Sequence, residues 1–356
     1  MWSLEALGWN AGFAKAFAPL AGPDIVPGRV SLEHQRIYRV LTESGEVLAR
    51  MTGRMRHEAA AAVGYPAVGD WVALRVRPGE VRATLEAVLP RVSRFSRKVP
   101  GDVTREQIVA ANVDTVFLVM GLDGDFNPRR IERYLVTAWE SGAQPVVLLT
   151  KADLVKDASE RVGEIAAIAA GAPVHATSVR TDLGVDDLVA YLGIGRTVAL
   201  LGSSGVGKST LINRLMGREV QRTAEVSVYK SRGRHTTTHR ELIVRPEGGL
   251  VIDTPGMREL QLWQTSASMD AAFADIEALS SGCRFADCRH DTEPQCAVRQ
   301  AAADGPLAPE RLDSYHKLRK EAEHLAGRQD QLVQIEIKRK SRAIHKAMRY
   351  IKPDRT

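Results

Sequence analysis

Residues 200–210 read LLGSSGVGKST, and residues 146–154 read VVLLTKADL. The order of these two stretches decides the fold. The first holds Gly202, Ser203, Ser204, Gly205, Val206, Gly207, Lys208 and Ser209, a complete G-x-x-x-x-G-K-[ST] pattern followed by Thr210. The apolar run TVALL (197–201) predicts a buried strand that delivers the loop, and the residues from Ser209 predict a helix. Glycines let the backbone N–H groups curl around phosphates, and the helix points its positive end at them. Lys208 has the length to reach the β and γ oxygens, and the hydroxyl of Ser209 suits Mg²⁺.

Downstream, VIDTPG (251–256) ends a second apolar run with Asp253 at its tip. A carboxylate there binds the same Mg²⁺ through water, and Gly256 offers an N–H to a γ-phosphate. Between the two lies SRGRHTTTHREL (231–242), a polar stretch suited to a switch loop whose threonine closes over the metal. Thr237 and Thr238 are both candidates, and the sequence does not choose between them.

Upstream, Thr150, Lys151, Ala152 and Asp153 follow the buried strand PVVLLT (145–150). A carboxylate at Asp153 can accept the N1–H and 2-amino protons of guanine together, which adenine does not supply. The Lys151 stem can pack on the face of the base. A later strand end, HATSVRTDLG (175–184), offers a backbone N–H near Ser178 or Val179 to the guanine O6. In an ordinary GTPase these base-reading loops follow the phosphate loop; here they precede it by about fifty residues. A mostly parallel sheet puts all such loops at the carboxyl ends of its strands, whatever their order in the chain. The expected unit is therefore a GTPase domain whose chain has been circularly permuted, with GTP and GDP as ligands.

The flanks carry other signals. Residues 30 to 95 show short alternating segments separated by Ser44-Gly45 and Pro78-Gly79, which predict an OB-type β-barrel with Tyr38, Tyr65 and Trp71 as core. PRVSRFSRKVPGDVTRE (90–106) reads as a basic linker. From about residue 265 the chain is expected to be helical. The division is thus an N-terminal extension (1–29), a barrel (30–95), a permuted GTPase domain (96–264) and a helical metal-binding domain (265–356).

All three cysteines fall in that last part, as Cys283-x₄-Cys288-x-His290-x₅-Cys296. A Cys₃His set within fourteen residues is the donor set of a closed structural Zn²⁺ site, expected to hold one ion per chain. The last 26 residues carry eight Lys and Arg against Glu336 and Asp354, and so account for the whole net charge of +6. A basic helix on a near-neutral body is expected to dock on a polyanion, nucleic acid first. Hydrophobic residues at 44% and charged ones at 26% are those of a globular protein. No signal peptide and no run of eighteen apolar residues is visible, so a cytoplasmic protein with no membrane partner is expected.

These residues resemble one family closely: the circularly permuted GTPases of small ribosomal subunit biogenesis, the RsgA family. The resemblance rests on TKAD (150–153), TSV (177–179), GSSGVGKST (202–210), GRHTTT (233–238), DTPG (253–256) and the cysteine cluster. It covers nearly the whole chain. One departure is Thr150, where the family usually has Asn. The resemblance implies a monomer that binds the maturing small subunit and its rRNA, is stimulated by it to hydrolyse GTP, and leaves on hydrolysis. Met257 stands where many GTPases hold a water-orienting Gln, and the resemblance implies that His235 takes that catalytic role. Two alternatives are a GTPase of another assembly or translation step, and a nucleotide-gated RNA-binding scaffold.

Overall fold

A computed structural model describes residues 1–56, 64–77, 79–98, 106–220, 240–253, 266–324 and 327. The apolar runs form a sheet of six strands: β8 (Thr115–Gly121), β9 (Gln144–Thr150), β10 (Val174–Ala176), β11 (Thr197–Gly202), β12 (Glu241–Val244) and β13 (Leu250–Asp253). Their spatial order is β10-β9-β8-β11-β13-β12, and only β12 runs antiparallel to its neighbour within this set. Strand β8 is buried at every position, as a strand covered on both faces must be.

Helix α2 (Pro128–Ser141) covers one face; its start is capped by the Asn127 side chain and carries Pro at the first turn. It stops at Gly142, whose φ of 84° is a left-handed C-terminal cap. Helices α3 (Ser159–Ile168), α4 (Asp186–Val189) and α5 (Lys208–Leu215) complete the alternation.

Before this sheet, β1 (Ile25–His34), β2 (Ile37–Thr42), β3 (Gly45–Met51), β4 (Trp71–Val76) and β5 (Arg82–Val88) run in the order β1-β2-β3-β5-β4, and β4 returns to β1. The result is the closed five-stranded OB-type barrel expected from the turn signals. Tyr38 lies in its interior, Trp71 is buried outside the barrel in the main core, and Tyr65 is half-buried and stacks with Arg36. Helix α1 (Ala11–Phe17) lays Phe13 against Trp71, and Trp9 meets the same indole edge-on at 4.7 Å.

Residues 90–106 are not simply a linker. Arg94–Lys98 (β6) pairs antiparallel with Glu106–Ala111 (β7), and the Pro and Gly that pointed to a linker lie between the two strands in sequence. The overriding signal is burial: Phe95 and Val109 are both sealed into the main core.

Beyond the sheet come α6 (Ser266–Ala272), α7 (Ala274–Ser280), α8 (Ala297–Asp304) and a helical stretch at 309–324. Arg311 fastens this part to helix α2: its buried guanidinium bonds Glu132 of α2 and Asp275 of α7, both at 2.8 Å, and lies 4.2 Å over the Phe273 ring. The basic tail, 331–356, lies outside the described residues.

A second buried arginine joins the other units. Arg29, at 1% exposure, donates to the carbonyls of Leu7, Gly69 and Asn112. Those carbonyls belong to the N-terminal segment, the barrel and the approach to β8. Burial lowers the Arg29 pKa to about 10, which still leaves it charged at neutral pH. Replacing it by Met keeps most of the volume but takes the donor from the Leu7 and Asn112 carbonyls, while the Gly69 carbonyl keeps its bond from Asn112 Nδ2. Arg29→Met is expected to lower the unfolding free energy in urea by about 3 kcal/mol; a loss below about 1 kcal/mol would show that water replaces the guanidinium there.

Candidate functional site

The loops that leave the carboxyl ends of β9 and β11 meet across one short gap. Thr150 Oγ1, the last residue of β9, lies 2.6 Å from the Val206 carbonyl in the phosphate loop and 3.2 Å from the Met120 carbonyl of β8. A hydroxyl has one proton to give, and the shorter contact marks Val206 as its acceptor. The hydroxyl at this departure from Asn thus joins the TKAD loop to the phosphate loop directly.

The phosphate loop has the predicted setting. β11 is buried throughout, and Gly207, with φ of 96°, turns the chain into α5 at Lys208. Gly202 cannot carry a side chain, since a Cβ would lie 2.3 Å from the Val119 carbonyl. Lys208 Nζ bonds the carbonyls of Gly202 and Ser203 at 2.8 and 2.5 Å. Ser204, Gly205 and Thr210 are exposed, Val206 is buried in the core beneath the loop, and Ser209 is half-buried.

Asp253 ends β13 beside this loop. Burial pushes its carboxyl up to about 6, the nearby Lys208 ammonium pulls it down, and Glu241 raises it further. Such a group is poorly compensated by protein alone and suits a cation.

On the base side, Lys151 adopts a left-handed conformation, φ 60°, and the Ala152 amide bonds the Thr177 carbonyl at 3.1 Å. The TKAD and TSV loops are therefore fastened to each other. Asp153 Oδ1 accepts from the Ser178 hydroxyl at 2.6 Å. The Ser178 amide is engaged with the Leu183 carbonyl at 2.9 Å, which favours the Val179 amide of the two predicted O6 donors.

Three polar residues around this site were not singled out in the sequence. Asp123 pairs with Lys151, while Asp125 and Arg130 bond Ser203. Their signal was positional: they follow β8, another parallel strand opening at the same edge. His235, Thr237, Thr238 and Gly256 lie outside the described residues.

The second site is the cysteine cluster. The ligating atoms of Cys283, Cys288, His290 and Cys296 all lie within 4.8 Å of one another. Cys283 Sγ is 3.9 Å from Cys296 Sγ, and His290 Nδ1 is 3.7 and 3.4 Å from those two sulfurs. Tetrahedral zinc requires edges of roughly 3.8 Å between sulfurs and 3.6 Å between sulfur and nitrogen, so the donor set fits. Burial keeps His290 below the usual imidazole range, hence neutral and able to ligate. Burial also raises Cys283, but amides of Val298 and Ala297 at the start of α8 outweigh it and hold the thiol below its ordinary value. Cys288 is pushed up to about 11 by burial and by the neighbouring sulfurs, a repulsion that a cation at the centre removes.

Comparison with known proteins agrees with this geometry. A sequence model of the family described as RsgA GTPase matches residues 88–263. The small ribosomal subunit biogenesis GTPase RsgA of Opitutus terrae is 51% identical, over 92% of this chain and 92% of its own length. The protein of that name from Syntrophotalea carbinolica is 43% identical over 96% of both chains. Among solved structures, YjeQ from Thermotoga maritima superposes with a TM-score of 0.63 at 28% identity, covering 84% of this chain and 98% of that one. YloQ, described as a circularly permuted GTPase, gives 0.60 at 27% identity over 84% of this chain and 96% of its own.

Two outcomes are expected from the site itself. Thr150→Val should weaken GTP binding about tenfold by leaving the Val206 carbonyl unpaired, whereas Thr150→Ser should keep most of the affinity; equal affinities for the three proteins would remove the staple. Elemental analysis should find about one metal ion per chain, lost in Cys296→Ser; full metal content in that variant would point to another site.

Proposed function

Because the chain belongs to the RsgA GTPase family, we propose that it acts in late assembly of the small ribosomal subunit, which binds it and stimulates its hydrolysis of GTP to GDP and phosphate. The observation that supports the reading is the Thr150–Val206 contact, which sets the TKAD loop against the loop of residues 202–209 despite their reversed order.

GTP is held from both ends. Asp153 selects guanine, the Val179 amide meets O6, and the loop from Gly202 to Ser209 cradles the phosphates. Lys208, which now bonds its own loop carbonyls, exchanges them for phosphate oxygens. Mg²⁺ supplies charge neutralisation; Ser209, Asp253 and one of Thr237 and Thr238 would hold it, and Gly256 offers its amide to the γ-phosphate. A loose phosphoryl-transfer transition state asks mainly for positioning, and His235 orients the attacking water where Met257 has no group to do so.

Zinc in the Cys₃His site has a structural role, holding residues 283–296 in the shape that α8 and Arg319, bonded to the Arg289 carbonyl and the Asp291 carboxylate, support. The barrel, this zinc-bearing part and the basic tail are the surfaces that meet rRNA. The protein works as a monomer in the cytoplasm; among the described residues no helix is long and apolar enough to cross a membrane.

Turnover measured with and without purified small subunits tests the reading. Strong stimulation by small but not large subunits is expected, and His235→Ala should keep GTP binding while losing most of it. No stimulation would sink the proposed role.

Acidity gives a further check. The Asp253 pKa is raised above its unfolded value, so the metal-free fold prefers the protonated form and loses stability as pH rises from about 4 through about 6. Mg²⁺ needs the carboxylate. Mg²⁺-dependent GTP affinity is therefore expected to fall as pH drops through about 6, a step that Asp253→Asn should abolish together with most of the metal dependence.

A further inference from the structure

The loop between β8 and α2, LDGDFN (122–127), matches no nucleotide-binding pattern, yet it touches both halves of the pocket. On the base side, Asp123 Oδ2 accepts from Lys151 Nζ at 2.5 Å. On the phosphate side, Asp125 accepts from the Ser203 hydroxyl, while Arg130 Nη1 bonds Asp125 Oδ1 at 2.6 Å and Ser203 Oγ at 2.9 Å. Ser203 is the first variable residue of the phosphate loop, so its side chain is held from two directions.

The loop is shaped for this. Asp123 Oδ1 accepts from the Asp125 amide at 3.1 Å, and a Cβ at Gly121 would stand 2.6 Å from the same oxygen. The Asn127 side chain caps the Arg130 amide, which sets the first turn of α2 and the direction of the guanidinium.

The charges pose a problem that the geometry answers. A carboxylate beside a loop that receives a polyanion repels the ligand. Asp125 is nevertheless bonded to that loop, and it is tolerable because Arg130 lies on it. We propose that Asp125 and Arg130 are positioning residues for the phosphate loop: Asp125 orients Ser203, and Arg130 cancels the carboxylate charge so that this orientation does not repel the nucleotide. Neither touches reacting atoms; both act through Ser203. This rests on the reading of residues 202–209 as the phosphate site and deepens it.

The proposal has a signature that a propping role lacks: removing both groups is milder than removing the arginine alone. Affinities for fluorescent GTP and GDP are measured for the full-length protein and for Arg130→Ala, Arg130→Lys, Asp125→Asn, the double variant Arg130→Ala with Asp125→Asn, and Lys208→Ala. Arg130→Ala is expected to weaken GTP about tenfold, more at low salt than at high and more for GTP than GDP. The double variant should return to within about threefold of the parent, and Arg130→Lys should stay close to it. Basal KM should rise in Arg130→Ala with kcat little changed, the pattern of lost binding rather than lost chemistry.

A double variant as weak as Arg130→Ala, or a loss indifferent to salt, overturns the proposal. Should Arg130→Ala not fold, Arg130→Lys and the double variant decide it: weakening of both beyond about threefold overturns it. Lys208→Ala separates the two levels, because unaltered GTP affinity there would refute the phosphate site itself.

Discussion

A hydroxyl and a carbonyl 2.6 Å apart, Thr150 Oγ1 and Val206 O, hold together two loops separated by more than fifty positions in the chain. That contact follows from a constraint on parallel sheets. Each strand opens its following loop at the same edge, so neighbours in the sheet place their loops side by side regardless of chain order. Strands β9, β8 and β11 are neighbours in that sense. The pocket is conserved under cutting and rejoining of the chain because spatial adjacency, rather than succession, builds it.

Two buried arginines join the flanking parts of the chain to this sheet and its helices. Arg29 collects three backbone carbonyls from three segments on one side. Arg311 collects two carboxylates and a carbonyl on the other, with Phe273 beneath it. A guanidinium suits both places: its planar fork satisfies several acceptors at once, and it stays charged when buried. Neither arginine adds much apolar surface. Each instead fixes which faces meet, since a slipped interface would leave a buried charge unpaired.

Helix α2 stands between the two sites. Its first turn carries Arg130 against the loop of residues 202–209, and Glu132, on the same helix, meets Arg311 of the part that carries the Cys₃His group. The glycine-rich loop and the part that carries the Cys₃His group are thus both fastened to the start of one helix. The link through residues 254–265 is covalent; the link through α2 is a packed one, centred on the buried Arg311–Glu132 ion pair.

Much of this was legible in the residues. The phosphate loop, TKAD and the cysteine spacing are local patterns, set by chemistry within a few positions, and so was the barrel, whose turn signals separate its strands. Trp71 and Tyr38 could be placed in a core because large aromatic side chains seldom remain in water. The ribbon of β6 and β7 could not, because the Pro and Gly between its two strands in the sequence hid the burial of Phe95 and Val109. Asp123, Asp125 and Arg130 were silent for a different reason. Their role comes from contact with Lys151 and Ser203, which are far away in sequence, and no local pattern of the kind that marks Asp153 or Asp253 includes them. Sequence alone determined which chemistry the chain can perform, since that depends on residue types at short spacing. The tertiary structure decided which of those groups share a pocket and what holds them there, since hydrogen bonds of three ångströms depend on where strands lie in a sheet.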